Sequence, residues 1–431
     1  MLNKEQNKAA KFSEGISVVI AGAGSGKTKT LVKRIENTLR DGRVKPEEIL
    51  ILTFSRKAAE EIRERSGKEI DDAHKITAGT FHSLCYRILS ENPKLLSEHF
   101  GIEKFSVMSE DDEEKLLSEM VASKIDNFMG LSNKTVLYLL KNFHRLDESR
   151  IKTLTDIGIT RELESVKTDF ENYKKERSLL TFSDLIFCAN SILSDNPDFR
   201  ETMRKRFKYI FVDEFQDTSD DNFLLLKNLL PDDKPNLFAV GDDWQSIYGF
   251  RDANIDYMIR PHKYFRSVSK YFLTVNYRSR REIIRISERA IKRNKNRSRK
   301  KIKSASGAGG EITFMQYSSW KDEIELIKQI LSQSVAGTNC VLYRNNYYGD
   351  RIKKEICDCG VSFSTIHGAK GLEYDNVILC GVEDGIFPCA FNSLEEERRL
   401  LYVALSRAKE KLFVLYKKTE SIEPLFIREI T

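Results

Sequence analysis

The eight residues AGAGSGKT, Ala21–Thr28, constrain this chain more than any other stretch. They follow the apolar run Ser17–Ala21 and open an amphipathic one, Lys27–Leu39, so a strand, a glycine-rich turn and a helix start come in that order. Glycines at 22, 24 and 26 let the backbone curl until successive N–H groups point inward, and the helix N-terminus adds positive potential. Such a turn cradles phosphate. Ala23, Gly24, Ser25 and Gly26 supply the wrapping backbone, Lys27 reaches the β- and γ-phosphates and Thr28 holds magnesium. The strict pattern begins with glycine where this chain has Ala21. A Gly-Lys-Thr turn serves a triphosphate, which excludes a dinucleotide-binding oxidoreductase.

The rest of the chain fits an α/β fold. Its 431 residues suffice for two or three domains. Apolar runs at Glu48–Thr53, Ile76–Ala78, Tyr209–Val212 and Leu237–Val240 read as further strands, with helices at Ser55–Arg65 and Phe81–Leu89. This rhythm predicts a parallel sheet covered by helices. From Pro93 to Arg200 the pattern is helix only, including a helix start at Ser109 followed by four acids, so this segment reads as an insertion. A second alternation places strands at Leu273–Val275, Glu311–Gln316, Cys340–Tyr343, Ser362–Ile366, Asn376–Cys380 and Lys411–Tyr416, with helices at Lys321–Ser334 and Leu394–Ala408. The expected boundaries are 1–92 with 201–268 for the first domain, 93–200 for the insertion and 269–431 for the second domain.

Lys and Arg number 71 against 65 Asp and Glu, a net charge of +6. The excess is uneven. Between Arg278 and Lys303 twelve cations from Arg280 onward face only Glu282 and Glu288, which reads as a phosphate-facing surface. The seven cysteines are scattered, without the paired spacing of a structural zinc site, and Cys340 and Cys380 read as buried thiols. No apolar run spans a bilayer and the N-terminus lacks a signal-peptide pattern, so the expectation is a cytoplasmic protein with no membrane partner.

A carboxylate pair belongs with the turn. The strand Lys208–Val212 ends in Asp213-Glu214. In such sheets Asp213 completes the magnesium shell with Thr28, and Glu214 polarises the attacking water. Loop and acids together point to nucleotide hydrolysis.

IFVDEFQDT (Ile210–Thr218) and GDDWQSIYGFRDA (Gly241–Ala253), taken with AGAGSGKT, resemble the UvrD/Rep/PcrA group of superfamily 1 helicases. LNKEQ, ILTFSRKAAEEIRER, GTFHSLCYRIL, TFSDLI, NYRS, STIHGAKGLEYDNVIL and EEERRLLYVALSRAKEKL continue the likeness in the family's order. The resemblance implies two RecA-like parallel-sheet motor domains with an all-helical insertion in the first, using ATP and Mg2+. It implies an ATP-dependent 3′→5′ single-stranded DNA translocase and helicase. Gln6 would read adenine, Tyr277 would stack on it and Glu373 would hold the ribose. Lys29 stands where relatives often carry a stacking arginine. Gln245 would sense the γ-phosphate, with Arg278 and Arg407 as arginine fingers from the second domain. Phe54, Phe182, Tyr248 and Phe250 would meet bases, and Thr80, His82, Arg251, His367 and Lys370 would line the DNA backbone path.

Two departures stand out. Arg344 and His367 are only about twenty residues apart, so the mobile 2B subdomain that Rep-type relatives insert there is expected to be absent. Trp244 and this short connection are similar in part to the helicase IV branch. The implied partners are single-stranded DNA and single/double-strand junctions. An alternative is a motor or ATP-switch subunit of a nuclease-containing repair, recombination or anti-phage defence complex, with a nuclease or repair partner protein.

Overall fold

The computed structural model describes residues 1–67, 72–124, 140, 160–249, 252–333, 337–356, 360–389, 392–419 and 422–431. Two compact units emerge, residues 1–80 with 202–431 and residues 81–201.

The larger unit carries two parallel sheets. The first contains β1 (Ile16–Ala21), β2 (Ile49–Thr53), β3 (Thr77–Thr80), β4 (Tyr209–Val212), β5 (Leu237–Gly241) and β6 (Val268–Leu273), in the order β3-β2-β4-β5-β1-β6. The central strands are continuous apolar runs because helices cover both faces. Helix α1 (Lys4–Ala10) precedes β1, and α2 (Lys27–Arg40) packs Leu31 and Ile35 on Val19, Ile51 and Phe238.

The second sheet contains β7 (Glu311–Tyr317), β8 (Asn339–Tyr343), β9 (Val361–Thr365), β10 (Tyr374–Val382) and β11 (Ala408–Lys417), in the order β7-β11-β10-β8-β9. Its core includes α3 (Arg281–Lys292), through Ile283, Ile286 and Ala290, and α4 (Leu394–Leu405), through Leu400, Leu401 and Val403. Helix α3 is sharply two-faced. Its isoleucines are buried, while Arg281, Arg285, Arg289 and Lys292 share the opposite side. Cys340 and Cys380 are fully buried, as their apolar runs require.

Two sequence-based assignments need correction. The strand placed at Leu273–Val275 divides into β6, which ends at Leu273 and pairs with β1 along its length, and a two-residue strand, Val275–Asn276, paired with Lys303–Ser304. The boundary drawn at 268/269 thus falls inside β6. The burial of β6, half-buried or exposed at every residue before Leu273, suits a sheet edge and carries no mark of which sheet it joins.

The second unit is mainly helical, with Phe81–Glu91 packed on Phe182–Asp195 and Glu110–Lys124 on Thr160–Glu176. It also holds a short parallel pair, Ser106–Val107 with Leu179–Leu180, so it is not helix only. Two residues per strand are too few to leave a periodic signal. Ser109 accepts the Asp112 N–H at 3.1 Å, the helix start expected there. No helix among the described residues is long and apolar enough to cross a membrane.

Candidate nucleotide site and nucleic-acid contacts

The turn between β1 and α2 has the conformation its glycines allow. Gly24 and Gly26 have φ of +62° and +78°. Gly26 caps α2 without a side-chain hydrogen bond, so no cap occupies the first-turn N–H groups. Ala21 is the buried last residue of β1, where a methyl group in place of glycine's hydrogen is accommodated in the strand and not in the turn. Space inside the turn is tight. A Cβ on Gly24 would lie 2.7 Å from Arg278 Cβ, and one on Gly26 would lie 2.6 Å from Gln6 Nε2.

Asp213 and Glu214 leave the C-terminal end of β4, and Lys27 Nζ lies 4.0 Å from Glu214 Oε1. Burial, then the adjacent Glu214 charge, pushes the Asp213 carboxyl above the usual range. Burial would raise Glu214 too, but Lys27 and Lys370 hold it below the usual range. Asp213 is therefore a buried carboxylate short of positive charge. The Asp213 carboxylate and the Thr28 hydroxyl both offer the hard oxygen donors that magnesium takes, so by their chemistry these residues fit that ion.

The β5 end carries Asp242, Asp243, Trp244 and Gln245, all buried. Gln245 Nε2 donates to Asp242 Oδ2 at 2.6 Å, and its Oε1 accepts from Arg407 Nη2 at 3.2 Å. Arg407 follows α4 and also donates to the carbonyls of Val403 and Leu372, each at 3.0 Å. Burial, then neighbouring Arg278, lowers the Arg407 guanidinium to about 9. Arg278 Nε is 2.8 Å from Glu373 Oε2, and its Nη1 reaches the Ser406 carbonyl at 3.2 Å. Loop, acids, glutamine and both arginines thus converge within one unit.

Of the residues assigned to the base and sugar, Gln6, Tyr277 and Lys29 are gathered around α1 and the residues before it, and Glu373 is not. The Gln6 side chain is bonded at both ends, accepting from Asn3 N at 2.9 Å and donating to the Ser25 carbonyl at 2.9 Å. Tyr277 is exposed, and its hydroxyl accepts from Asn3 Nδ2 at 2.7 Å. Lys29 Nζ reaches the Met1 carbonyl at 3.2 Å. Glu373 pairs with both Arg278 and Lys409.

Of the residues assigned to DNA, Tyr248, His367 and Lys370 come together. Lys370 Nζ lies 4.5 Å from the centre of the Tyr248 ring and pairs with buried Asp217, and the His367 ring is 6.3 Å from that of Tyr248. Burial, then Arg344, lowers His367 to about 4. Glu396 of α4 accepts the Gly249 N–H at 3.2 Å, so α4 holds this loop at one end and reaches Gln245 through Arg407 just beyond the other. In the helical unit the His82 and Phe182 rings meet edge to face at 5.3 Å. Phe54 and Thr80 are half-buried at the ends of β2 and β3. Phe250 and Arg251 lie outside the described residues.

The basic run is not one surface. Arg280 pairs with Glu410, Arg293 with Glu429, and Arg289 donates to the carbonyls of Ile430 and Thr431. Lys300 is buried among acids. Sequence reasoning missed it because it stands in a run of cations that reads as exposed. The available signal lies elsewhere: two carboxylates after the apolar strand β5 require a buried counter-charge.

Residues 2–266 match the model of the UvrD/REP helicase N-terminal domain, and residues 271–364 and 360–419 match that of the UvrD-like helicase C-terminal domain. The chain is similar to the ATP-dependent DNA helicase PcrA of Staphylococcus epidermidis, 31% identical over 388 residues, covering 86% of this chain and 51% of that protein. The PcrA of Staphylococcus aureus is 32% identical over 388 residues, with the same coverage. The chain thus spans about half the length of the curated relatives it matches. Two family models in sequence across most of its length, on two parallel-sheet domains that meet at a phosphate loop, place the chain in the UvrD/REP helicase family.

Proposed function

We propose that this chain is an ATP-driven motor that moves 3′→5′ along single-stranded DNA and acts at single/double-strand junctions. The observation that carries the reading is the bond between Arg407, just after α4 of the second sheet domain, and Gln245 of the first, opposite the Lys27–Glu214 pair. The name of the staphylococcal relatives, ATP-dependent DNA helicase, supports the substrate.

In this reading the backbone of Ala23–Gly26 wraps the phosphates and Lys27 neutralises their charge. Gln6 retains one amide N–H for the adenine edge, and the Tyr277 ring stacks on the base. Thr28 and Asp213 would hold magnesium, which would supply neutralising charge to the phosphates when bound. Glu214 takes the proton of a water whose oxygen bonds to the γ-phosphorus as the bond to the β-bridging oxygen breaks. ADP leaves with that electron pair. Arg278 and Arg407 stabilise the transition state only after exchanging Glu373 and Gln245 for phosphate oxygens. That exchange links hydrolysis to movement of the second sheet domain. The sheet-bearing segments are the motor halves, and the helical segment 81–201 is an accessory insertion. The chain from Arg344 to His367 carries only the helix Asn346–Glu355 and β9 among its described residues, which favours translocation over processive unwinding.

The test is ATP hydrolysis with and without oligo-dT, beside Lys27→Ala, followed by opening of duplexes with 3′ or 5′ tails. Stimulation lost in the variant and a preference for 3′ tails are expected. Turnover indifferent to DNA, or opening from 5′ tails alone, overturns the reading.

A further inference from the structure

Lys300 is the one side chain of the basic run that is buried completely. An ammonium has three donors, and this one spends all three: on Asp242 Oδ1 at 2.5 Å, Asp243 Oδ1 at 2.7 Å and the Ala21 carbonyl at 2.7 Å. The three acceptors come from the end of β5 and from the last residue of β1 before the phosphate loop. Lys300 itself arrives from the segment that follows α3. Its Nζ also lies 4.5 Å from the centre of the Trp244 ring, whose Nε1 donates to the Ser298 carbonyl at 3.2 Å. Ser298 in turn gives its N–H and hydroxyl to Asp243, both at 2.6 Å.

Burying two carboxylates and an ammonium is costly, and an apolar cluster of the same volume would hold the fold as well. The arrangement makes sense through what Asp242 does next. Its other oxygen accepts from Gln245 Nε2 at 2.6 Å, while Gln245 Oε1 faces Arg407. A carboxylate on one side and a guanidinium on the other permit only one orientation of the amide. A flipped amide would set oxygen against oxygen and N–H against N–H. The orientation therefore depends on the Asp242 carboxylate staying in place; Trp244 N at 3.1 Å and the Tyr402 hydroxyl at 3.5 Å also reach it, and among the described residues the only ammonium bonded to it is Lys300.

We propose that Lys300 is a positioning residue for phosphoryl transfer: it fixes Asp242, and Asp242 fixes the amide of Gln245 against the γ-phosphate. It also ties that amide to the strand that carries the phosphate loop, so loop and amide move as one body. The proposal rests on the motor reading above, in which Gln245 meets the γ-phosphate.

The experiment uses the full chain in a Trp320→Phe background. Trp244 is then the sole tryptophan, since the chain has two. Lys300→Met is compared with the double variant Lys300→Met/Asp243→Asn, which removes one charge of each sign and so preserves the local balance and the fold. Steady-state ATP hydrolysis with oligo-dT gives kcat and KM, and Trp244 emission is followed on addition of ATP. The proposal expects the double variant to unfold at the parental temperature, with kcat reduced about ten-fold or more and KM changed by less than about three-fold. It also expects the ATP-induced change in Trp244 emission to be lost. A double variant with kcat within about two-fold of the parent shows that charge balance alone mattered and overturns it. A raised KM with kcat intact also overturns it. If the parent hydrolyses no ATP, the motor reading fails by itself. Trp244 then still decides on Lys300: an ATP response kept in the double variant rejects the tie between amide and loop, and a response lost only there retains it.

Discussion

Arg407 places its Nη2 3.2 Å from the side-chain oxygen of Gln245, joining the residue after α4 of one sheet domain to the end of β5 of the other. With the guanidinium wholly buried, this bond reports how the two domains meet at the phosphate loop. Arg407→Ala is expected to lower DNA-stimulated kcat about a hundred-fold with a smaller effect on KM, because in the proposed mechanism its charge meets the transferring γ-phosphoryl group. Steady-state kinetics checks this, and a change confined to KM counts against it.

Asp213 and Glu214 are adjacent yet in opposite electrostatic states, so their amides should fail differently. Glu214→Gln is expected to keep nucleotide binding while hydrolysis falls at least about a hundred-fold. Asp213→Asn is expected to weaken the magnesium dependence of binding itself. Calorimetric titration of ATP with and without magnesium separates the two.

The loop glycines are not equivalent. At Gly24 a Cβ meets both a positive φ and the Arg278 side chain at 2.7 Å, so Gly24→Ala is expected to abolish nucleotide binding. At Gly22 the obstacle is the flexible tip of Ile302 at 2.6 Å, and Gly22→Ala should retain measurable binding. Equal weakening in the two variants would contradict this account.

Glu323 gives a pH signature in the second sheet domain. It accepts from the Tyr348 hydroxyl and from Gly381 N at 2.8 Å, and burial pushes its carboxyl from 4.5 up to about 7. The folded state therefore binds this proton more tightly than the unfolded state. Its contribution is complete below pH 4.5 and is lost as pH rises through about 7. Glu323→Gln should remove that dependence. Thermal midpoints of both proteins from pH 5 to 8 are expected to converge or cross in the variant's favour as pH rises, and parallel curves would refute the assignment.

Arg281, Arg285, Lys292 and Lys295 make no ion pair among the described residues. Changing all four to glutamine is expected to weaken duplex binding and to flatten its salt dependence by about 0.9 in log–log slope for each phosphate no longer neutralised. An unchanged slope removes these side chains from the DNA interface.

Much of this architecture is legible in the sequence because local chemistry and fold agree. The glycines of 22–26, the apolar strands and the Asp-Glu pair each specify their own conformation or environment. What escaped depends on partners distant in the chain. Nothing local distinguishes Lys300 from Lys301, since only the fold brings Asp242 and Asp243 to one and leaves the other exposed. Membership of β6 in the first sheet escaped for the same reason, because its pairing with β1 spans some 250 residues. The present partners of Arg278 and Arg407 follow from how two domains meet, which no motif encodes.

The passage out of β6 has a mechanical meaning. The strand ends at Leu273, Thr274 is gripped by both carboxylate oxygens of Glu5, and Asn276 and Tyr277 bond the carbonyls of Ala23 and Gly24 before α3 begins at Arg281. The joint between the sheet domains is thus laid against the phosphate loop itself. A swing about that joint displaces the loop least and the remote end of the second sheet most. In the proposed motor the second domain is a lever with its fulcrum at the nucleotide, and slack spliced in between Leu273 and Asn276 is expected to leave both sheets folded while disconnecting the stroke from the fuel.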